Sequence, residues 1–179
     1  MIHSKKMKVL SLFDGISCGQ IALNRAGIPY DEYFASEIDV SAISVTQDNY
    51  PKTNQLGSVV DVKGKDLPKI DLILAGSPCQ GLSFSGKGLN FDDPRSQLFF
   101  EFVRIIEECQ PKYFLLENVK MKKESENTIS NILGVDPIFI NSSLVSAQDR
   151  KRLYWTNIPN VCQPENKEIY FSDILDDDV

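Results

Sequence analysis

With 179 residues, 42% of them hydrophobic, the chain has the size and apolar content of one globular unit. A formal charge of −6 argues against a protein that grips polyanions over its whole surface, because neutralising phosphates takes clustered Lys and Arg. No run of about 18 uninterrupted apolar residues could span a bilayer, MIHSKKMK leads into a strand-like run rather than a signal-peptide core, and the cysteines at 18, 79, 109 and 162 lack the paired spacing of a zinc or disulfide framework. The expectation is therefore a soluble, cytoplasmic protein with free thiols. Two basic clusters stand out, Lys120/Lys122/Lys123 and Arg150/Lys151/Arg152, and the ordinary reading of each is a solvated face.

In chain order, VLSLF after Lys8 is strand-like and ends in DGISCG, and QIALNRAG then has the apolar spacing of a short helix stopped by Gly27. The strand, turn and helix pattern recurs in EYFASEID followed by VSAISVTQDNY. It recurs again in IDLILAGSPC, a Gly/Ser-rich loop over 81–95 expected to be mobile, and the helical QLFFEFVRIIEEC. PKYFLLENV is a further strand. DPIFINSSLV and RLYWTNI read as two more, antiparallel neighbours given their short connection. Alternating strands and helices predict a doubly wound α/β fold with a mostly parallel, Rossmann-like sheet, whose ligands bind beyond the carboxyl ends of the strands. DGISCG, Glu37, SPCQ and ENV then share one rim.

A glycine turn such as 13–19 is by itself only a tight connection, but Glu37 follows about 20 residues on, where an acidic group accepts from a ribose hydroxyl. Together they favour a nucleoside-containing ligand. Asp61 could accept from an adenine amino group, although a surface Asp at a strand end is the commoner case. Cys79, directly after an apolar strand and beside the long loop, is presented at the rim, whereas most cysteines are buried and inert. Glu117 and Asn118 take the equivalent place after LLENV; a solvated Glu and a helix cap are their bland alternatives. Gln148, Arg150 and Arg152 alternate, so an extended backbone would point them to one side.

The order and combination of these motifs resemble the DNA cytosine-5 methyltransferases. The resemblance runs through LSLFDGISCG, ASEID, AGSPCQGLSFSGKG, DPRSQLFFEFVRII, PKYFLLENV and QDRKRLYW, nearly the whole chain. Its opening FDGI and the stretch SLVSAQDRKRLYW look most like the mammalian de novo branch and its phage and bacterial relatives.

The resemblance implies methyl transfer from S-adenosylmethionine to C5 of a flipped-out cytosine in DNA. Cys79 would add to C6 as a thiolate, Glu117 would engage N3 and the exocyclic amine, and Asn118 would hold Cys79 and the loop. Arg150 would contact the base carbonyl or a phosphate, Arg152 would support it from behind, and Gln148 would fix loop geometry. The 81–95 loop would close over the extruded base. Phe13, Gly15 and Ile16 would meet the methionine and ribose of the cofactor, Glu37 the ribose, and Ile38 and Asp61 the adenine. Pro78 and Leu98 would form pocket wall, with Asp14, Val62 and Gly76 completing the set. Ser17 and Cys18 stand where many relatives carry glycine.

The resemblance also implies that FSDILDDDV, at the end of the chain, is where a target-recognition region would begin. One domain over 1–179 is therefore expected, without that region or the final closing segment, so that a second chain or a self-dimer would complete the DNA surface. Such a lobe alone should bind cofactor weakly and turn over poorly. A partner-dependent regulator is the alternative; an RNA cytosine-5 methyltransferase ranks last, because its Cys-Phe-Thr signature is not found.

Overall fold

A computed structural model describes residues 7–77 and 94–175, with side chains from residue 97 in the second segment. Its elements in chain order are β1 (Met7–Leu12), α1 (Cys18–Arg25), β2 (Tyr30–Ser36), α2 (Val40–Asn49), β3 (Asn54–Gln55) and β4 (Leu72–Ala75). They continue with α3 (Pro94–Cys109), β5 (Tyr113–Val119), α4 (Lys123–Leu133), β6 (Ile138–Asn141) and β7 (Lys151–Thr156). Among the described residues the strands form one seven-stranded sheet in the order β3-β2-β1-β4-β5-β7-β6. β1 to β5 are parallel, while β7 runs antiparallel to both β5 and β6. The α/β expectation holds, and so does the antiparallel pairing of the last two strands.

Strand periodicity splits the apolar residues between two faces. Leu10, Leu12, Phe34, Ile73 and Leu116 face a large core closed by Phe99, Phe102 and Ile105 of α3 and Ile129 of α4. Val9, Tyr33, Ala35 and Leu72 face a smaller one with Leu23 of α1. The sheet is thereby covered on both sides, as parallel strands require.

Chain order reverses between β1 and β4, and that switch point is where a doubly wound sheet opens a crevice at its carboxyl edge. Turn 13–17, Glu37, Gly76-Ser77 and Glu117-Asn118 all lie there. Because β7 is antiparallel, its first residues reach the same rim that the other strands reach with their last.

Two differences from the sequence reading concern helices. α3 begins at Pro94, so residues 94–95 belong to the helix rather than to the loop. α4 was not anticipated: KESENTISNIL has few apolar residues and buries only Glu126 and Ile129, but Gly134, in the left-handed region at φ 69°, ends it as a helix C-terminus commonly ends.

Phe102 has no exposed surface and lies 6.4 Å, ring to ring, from both Phe99 and Phe114. Phe102→Ala should cost about 3–5 kcal/mol through lost burial and a residual cavity, read from the urea midpoint of unfolding.

Candidate functional site at the carboxyl edge of the sheet

The β1 to α1 turn is held from both sides. Gly15 N–H donates to Glu37 Oε2 at 2.8 Å, and Glu37 Oε1 accepts from the Ile38 and Asp39 amides at 2.7 and 2.9 Å. Thr46 of α2 donates its hydroxyl to the Gly15 carbonyl at 3.3 Å. Phe13, Gly15 and Ser17 all adopt left-handed backbone, at φ 58°, 58° and 64°. For Phe and Ser this costs on the order of 1–3 kcal/mol each, a strain that persists where surroundings enforce it and that gathers at ligand sites.

Asp14 is 9% exposed; its Oδ1 accepts from Tyr33 O–H at 3.0 Å, whereas Oδ2 has no partner. Burial pushes the Asp14 carboxyl above its ordinary range, the hydroxyls of Ser11, Ser17 and Tyr33 hold it back, and the charge of Glu37 adds to the rise. Burial, reinforced by the Asp14 charge, likewise pushes the Tyr33 phenol up, so Tyr33 stays a neutral donor. A buried carboxylate oxygen without a donor is expensive, and here it sits in the turn predicted to meet a cationic, amine-bearing cofactor.

Beside this turn, Phe13, Ser36, Glu37, Ile38, Ser58, Val59 and Leu98 line a cleft of about 190 Å³. That is smaller than the ~300–1,000 Å³ of a whole small-molecule site and fits part of one ligand. Four of the predicted cofactor residues, Phe13, Glu37, Ile38 and Leu98, lie in this lining. Ile16 is 49% exposed on the turn, and Ile38 is 73% exposed, an apolar edge open to a planar group. Asp61 is exposed and outside the lining, and Val62 packs into the core with its carbonyl held by Arg104. The wall on that side is instead Ser58 and Val59, which sequence reasoning missed because a two-residue β3 offers no periodicity from which to place the loop after it. A larger hollow of about 560 Å³, between Gln20, Asn24, Tyr30 and Tyr50, opens at the start of β2, away from this edge.

The second half of the site lies across β4, β5 and β7. Asn118, 2% exposed, donates Nδ2 to the Ser77 carbonyl and hydroxyl at 3.3 and 3.2 Å, and its Oδ1 accepts from Val119 N–H at 2.8 Å. It thereby pins the chain one residue before Pro78 and two before Cys79, both of which lie outside the described residues, as does the loop over 81–93. Glu117, on the other face of β5, takes Arg152 Nε on Oε1 at 2.7 Å, and Arg150 Nη2 reaches the same oxygen at 3.5 Å. A Cβ on Gly76 would sit 3.5 Å from Glu117 Oε2, an ordinary van der Waals contact, so Gly76 packs beside that oxygen. Gln148 is not brought to this cluster: its main chain is tied to Ser142 and Ser146, and it lines a separate hollow with Phe171 and Ile174. Burial pushes the Cys109 thiol up, the opposite of what a nucleophile needs.

A paired Glu and Arg thus lie beside Asn118 and Ser77, next to a cleft rimmed by an acidic strand end. The model of C-5 cytosine-specific DNA methylases covers residues 7–170. The chain belongs to that family. The orphan methyltransferase M.SPRI of Bacillus phage SPR is 36% identical over 163 residues, covering 83% of this chain and 37% of that methylase. The type II methyltransferase M.NlaIV of Neisseria lactamica is 38% identical over 174 residues, with 85% and 41% covered. A solved structure described as a DNA modification methyltransferase encoded within an E. coli prophage superposes with a TM-score of 0.69 at 30% identity, covering 84% of this chain and 46% of that one. A mutant of the Spodoptera frugiperda DNMT2 gives 0.63 at 28% identity, with 92% and 54% covered. The chain thus spans about two fifths of the length of the curated methylases it matches.

Asp14→Asn should stabilise the ligand-free chain. The folded-state pKa of Asp14 lies above its ordinary 3.8, so the penalty is absent at pH below 3.8, where the carboxyl is protonated folded or unfolded, grows as pH rises from there toward the folded value, and is complete above it. The variant should melt about 2–4 °C higher at neutral pH, and this gain should vanish near pH 3.8. A gain that ignores pH would contradict the buried-charge account.

Proposed function

We propose that this chain is the catalytic lobe of a DNA cytosine-5 methyltransferase, with S-adenosylmethionine as methyl donor and a cytosine flipped out of duplex DNA as substrate. The observation that carries the reading is the cluster of Glu117 with Arg152 and Arg150, set beside Asn118 and Ser77. The residues on the cofactor side suit that molecule: a carboxylate at the end of β2 for ribose hydroxyls, an apolar cleft for the adenine, and the unpartnered Asp14 oxygen in the turn for a cationic group.

In this reading Cys79, as thiolate, forms a bond to C6, and the electron pair of the C5–C6 double bond moves into the ring toward N3 and the carbonyl. Glu117 meets the N3 and exocyclic-amine edge, where a carboxyl matches the hydrogen-bond pattern of cytosine. Arg152 fixes the Glu117 side chain, and Arg150, half exposed and only loosely paired, is free to turn toward the base carbonyl or a phosphate. Asn118 holds Ser77, two residues before Cys79 in the sequence. The bound cofactor supplies an electrophilic methyl group for C5. Loss of the C5 proton and expulsion of the Cys79 thiolate restore the aromatic ring.

The surface that reads a DNA sequence, whether on further polypeptide, a second chain or a second copy, lies beyond this lobe in the same reading. The work belongs in the cytoplasm of a bacterium or of a phage-infected cell. No described helix is long and apolar enough to cross a membrane.

The test is covalent capture of duplex DNA carrying 5-fluorocytosine, in which the C5 substituent cannot leave as a proton and the adduct persists. The chain with S-adenosylmethionine should form the adduct, Cys79→Ala should abolish it, and Cys109→Ala should leave it intact. Capture that survives Cys79→Ala removes Cys79 as nucleophile. Glu117→Gln should slow capture by about 10²–10⁴-fold without changing cofactor affinity.

A further inference from the structure

One side chain outside the cleft lining is bonded to the loop that forms part of its wall. Arg104, in the middle of α3, donates Nε and Nη2 to Glu101 Oε2 at 2.8 and 2.6 Å, and Nη1 to Glu108 Oε1 at 2.7 Å. Nη2 also reaches the main-chain carbonyls of Val62 at 2.9 Å and Val59 at 3.2 Å, more than forty residues away in sequence. The second oxygen of Glu108 accepts the Gly64 N–H at 2.6 Å. The loop over 59–64 is therefore fastened at both ends to one helix, by its carbonyls to Arg104 and by its last amide to Glu108.

The approach is close. A Cβ on Gly64 would meet Glu108 Cβ at 2.6 Å and Cys109 Sγ at 2.9 Å, so the loop lies flush on α3. Within helix α3 alone the Arg104 pairs at i−3 and i+4 would matter little, each worth a few tenths of a kcal/mol. They aim the guanidinium fork: with Glu101 and Glu108 fixing its plane, Nη2 points at two loop carbonyls, that of Val62 and that of Val59, which also accepts the Val62 N–H at 3.3 Å. Val59 and its neighbour Ser58 are part of the cleft lining, and Leu98, six residues before Arg104 on the same helix, is another part. Helix α3 thus contributes one section of the wall directly and holds a second through Arg104.

We propose that Arg104 is a positioning residue for the cofactor, setting the width of the cleft by clamping the Ser58-Val59 wall to α3 without touching the ligand. The inference rests on the functional reading above, in which this cleft takes part of S-adenosylmethionine. Lys cannot replace Arg here, because one ammonium cannot reach two carboxylates and two carbonyls from a single point.

The experiment measures the affinity of the chain for S-adenosylhomocysteine by calorimetry, with urea unfolding alongside, for Arg104→Met, Arg104→Lys, Gly64→Ala and Ile129→Val. Arg104→Met should raise Kd about tenfold, the cost of orphaning groups that were bonded to a charge. Gly64→Ala, which forces the loop and Glu108 apart but removes no charged group, should weaken binding in the same direction. Arg104→Lys, the variant best able to fold, should bind about threefold more weakly than the parent, in line with a partial loss of such bonds. Ile129→Val, a core change away from the cleft, should lower stability and leave Kd unchanged. Arg104 and Gly64 variants that lose stability but keep parental affinity would reduce the clamp to a structural bond and overturn the inference. So would full affinity in Arg104→Lys. A parent chain that takes up no S-adenosylhomocysteine would instead remove the functional reading, and this inference with it.

Discussion

Three main-chain N–H groups, those of Gly15, Ile38 and Asp39, converge on the carboxylate of Glu37. This one residue joins the end of β1 to the end of β2 and the start of α2, and it forces the first turn to stand open toward the crevice. The left-handed backbone at Phe13 and Ser17 would relax without it and without Thr46 on the Gly15 carbonyl. Phe13 then lines the cleft, and Asp14 is folded back against Tyr33. The unpartnered Asp14 oxygen is the residue of this arrangement: a local cost kept in place by stronger bonds around it.

The other half of the site solves a different problem, that of holding a carboxyl group and the end of β4 side by side. β5 does this with two adjacent residues on opposite faces. Asn118 turns toward the α3 core and holds Ser77, while Glu117 turns the other way and is met by Arg152 from β7. The antiparallel register of β7 brings Arg152 there: Val119 pairs with Arg152 and Glu117 with Tyr154, placing the arginine diagonally opposite the glutamate on one face. The break from parallel order is thus tied to the Glu117–Arg152 pair.

The sheet was largely legible in the sequence, because VLSLF, LILA, YFLLEN and RLYWT are short apolar runs flanked by turn residues, the pattern that buried strands impose. Helix α4 was not, since its eleven residues carry only Ile129, Ile132 and Leu133 as apolar positions and its N-cap, Lys122, makes no side-chain cap. In the site, residues that act by type and motif, such as Glu37 and Glu117, stood out from the chain alone. Those that act through main-chain geometry did not. Ser58 and Val59 enter the cleft because of where a loop is fastened, and the fastener, Arg104, lies in a stretch that reads simply as an amphipathic helix. Gln148 shows the converse: alternation with Arg150 and Arg152 put it in their row, but the backbone becomes a strand only at Lys151.

The single tryptophan of the chain, Trp155, has no exposed surface, donates its indole N–H to Ser130 of α4 at 3.0 Å, and sits three residues along β7 from Arg152. With no second indole to blur the signal, its fluorescence is an intrinsic gauge of the strand that carries the Glu117 partner. A dry, hydrogen-bonded indole emits toward the blue, and any movement of β7 against α4 would register as a red shift. Any rearrangement around Glu117 and Arg152 that shifts β7 could therefore be followed optically in the unlabelled chain.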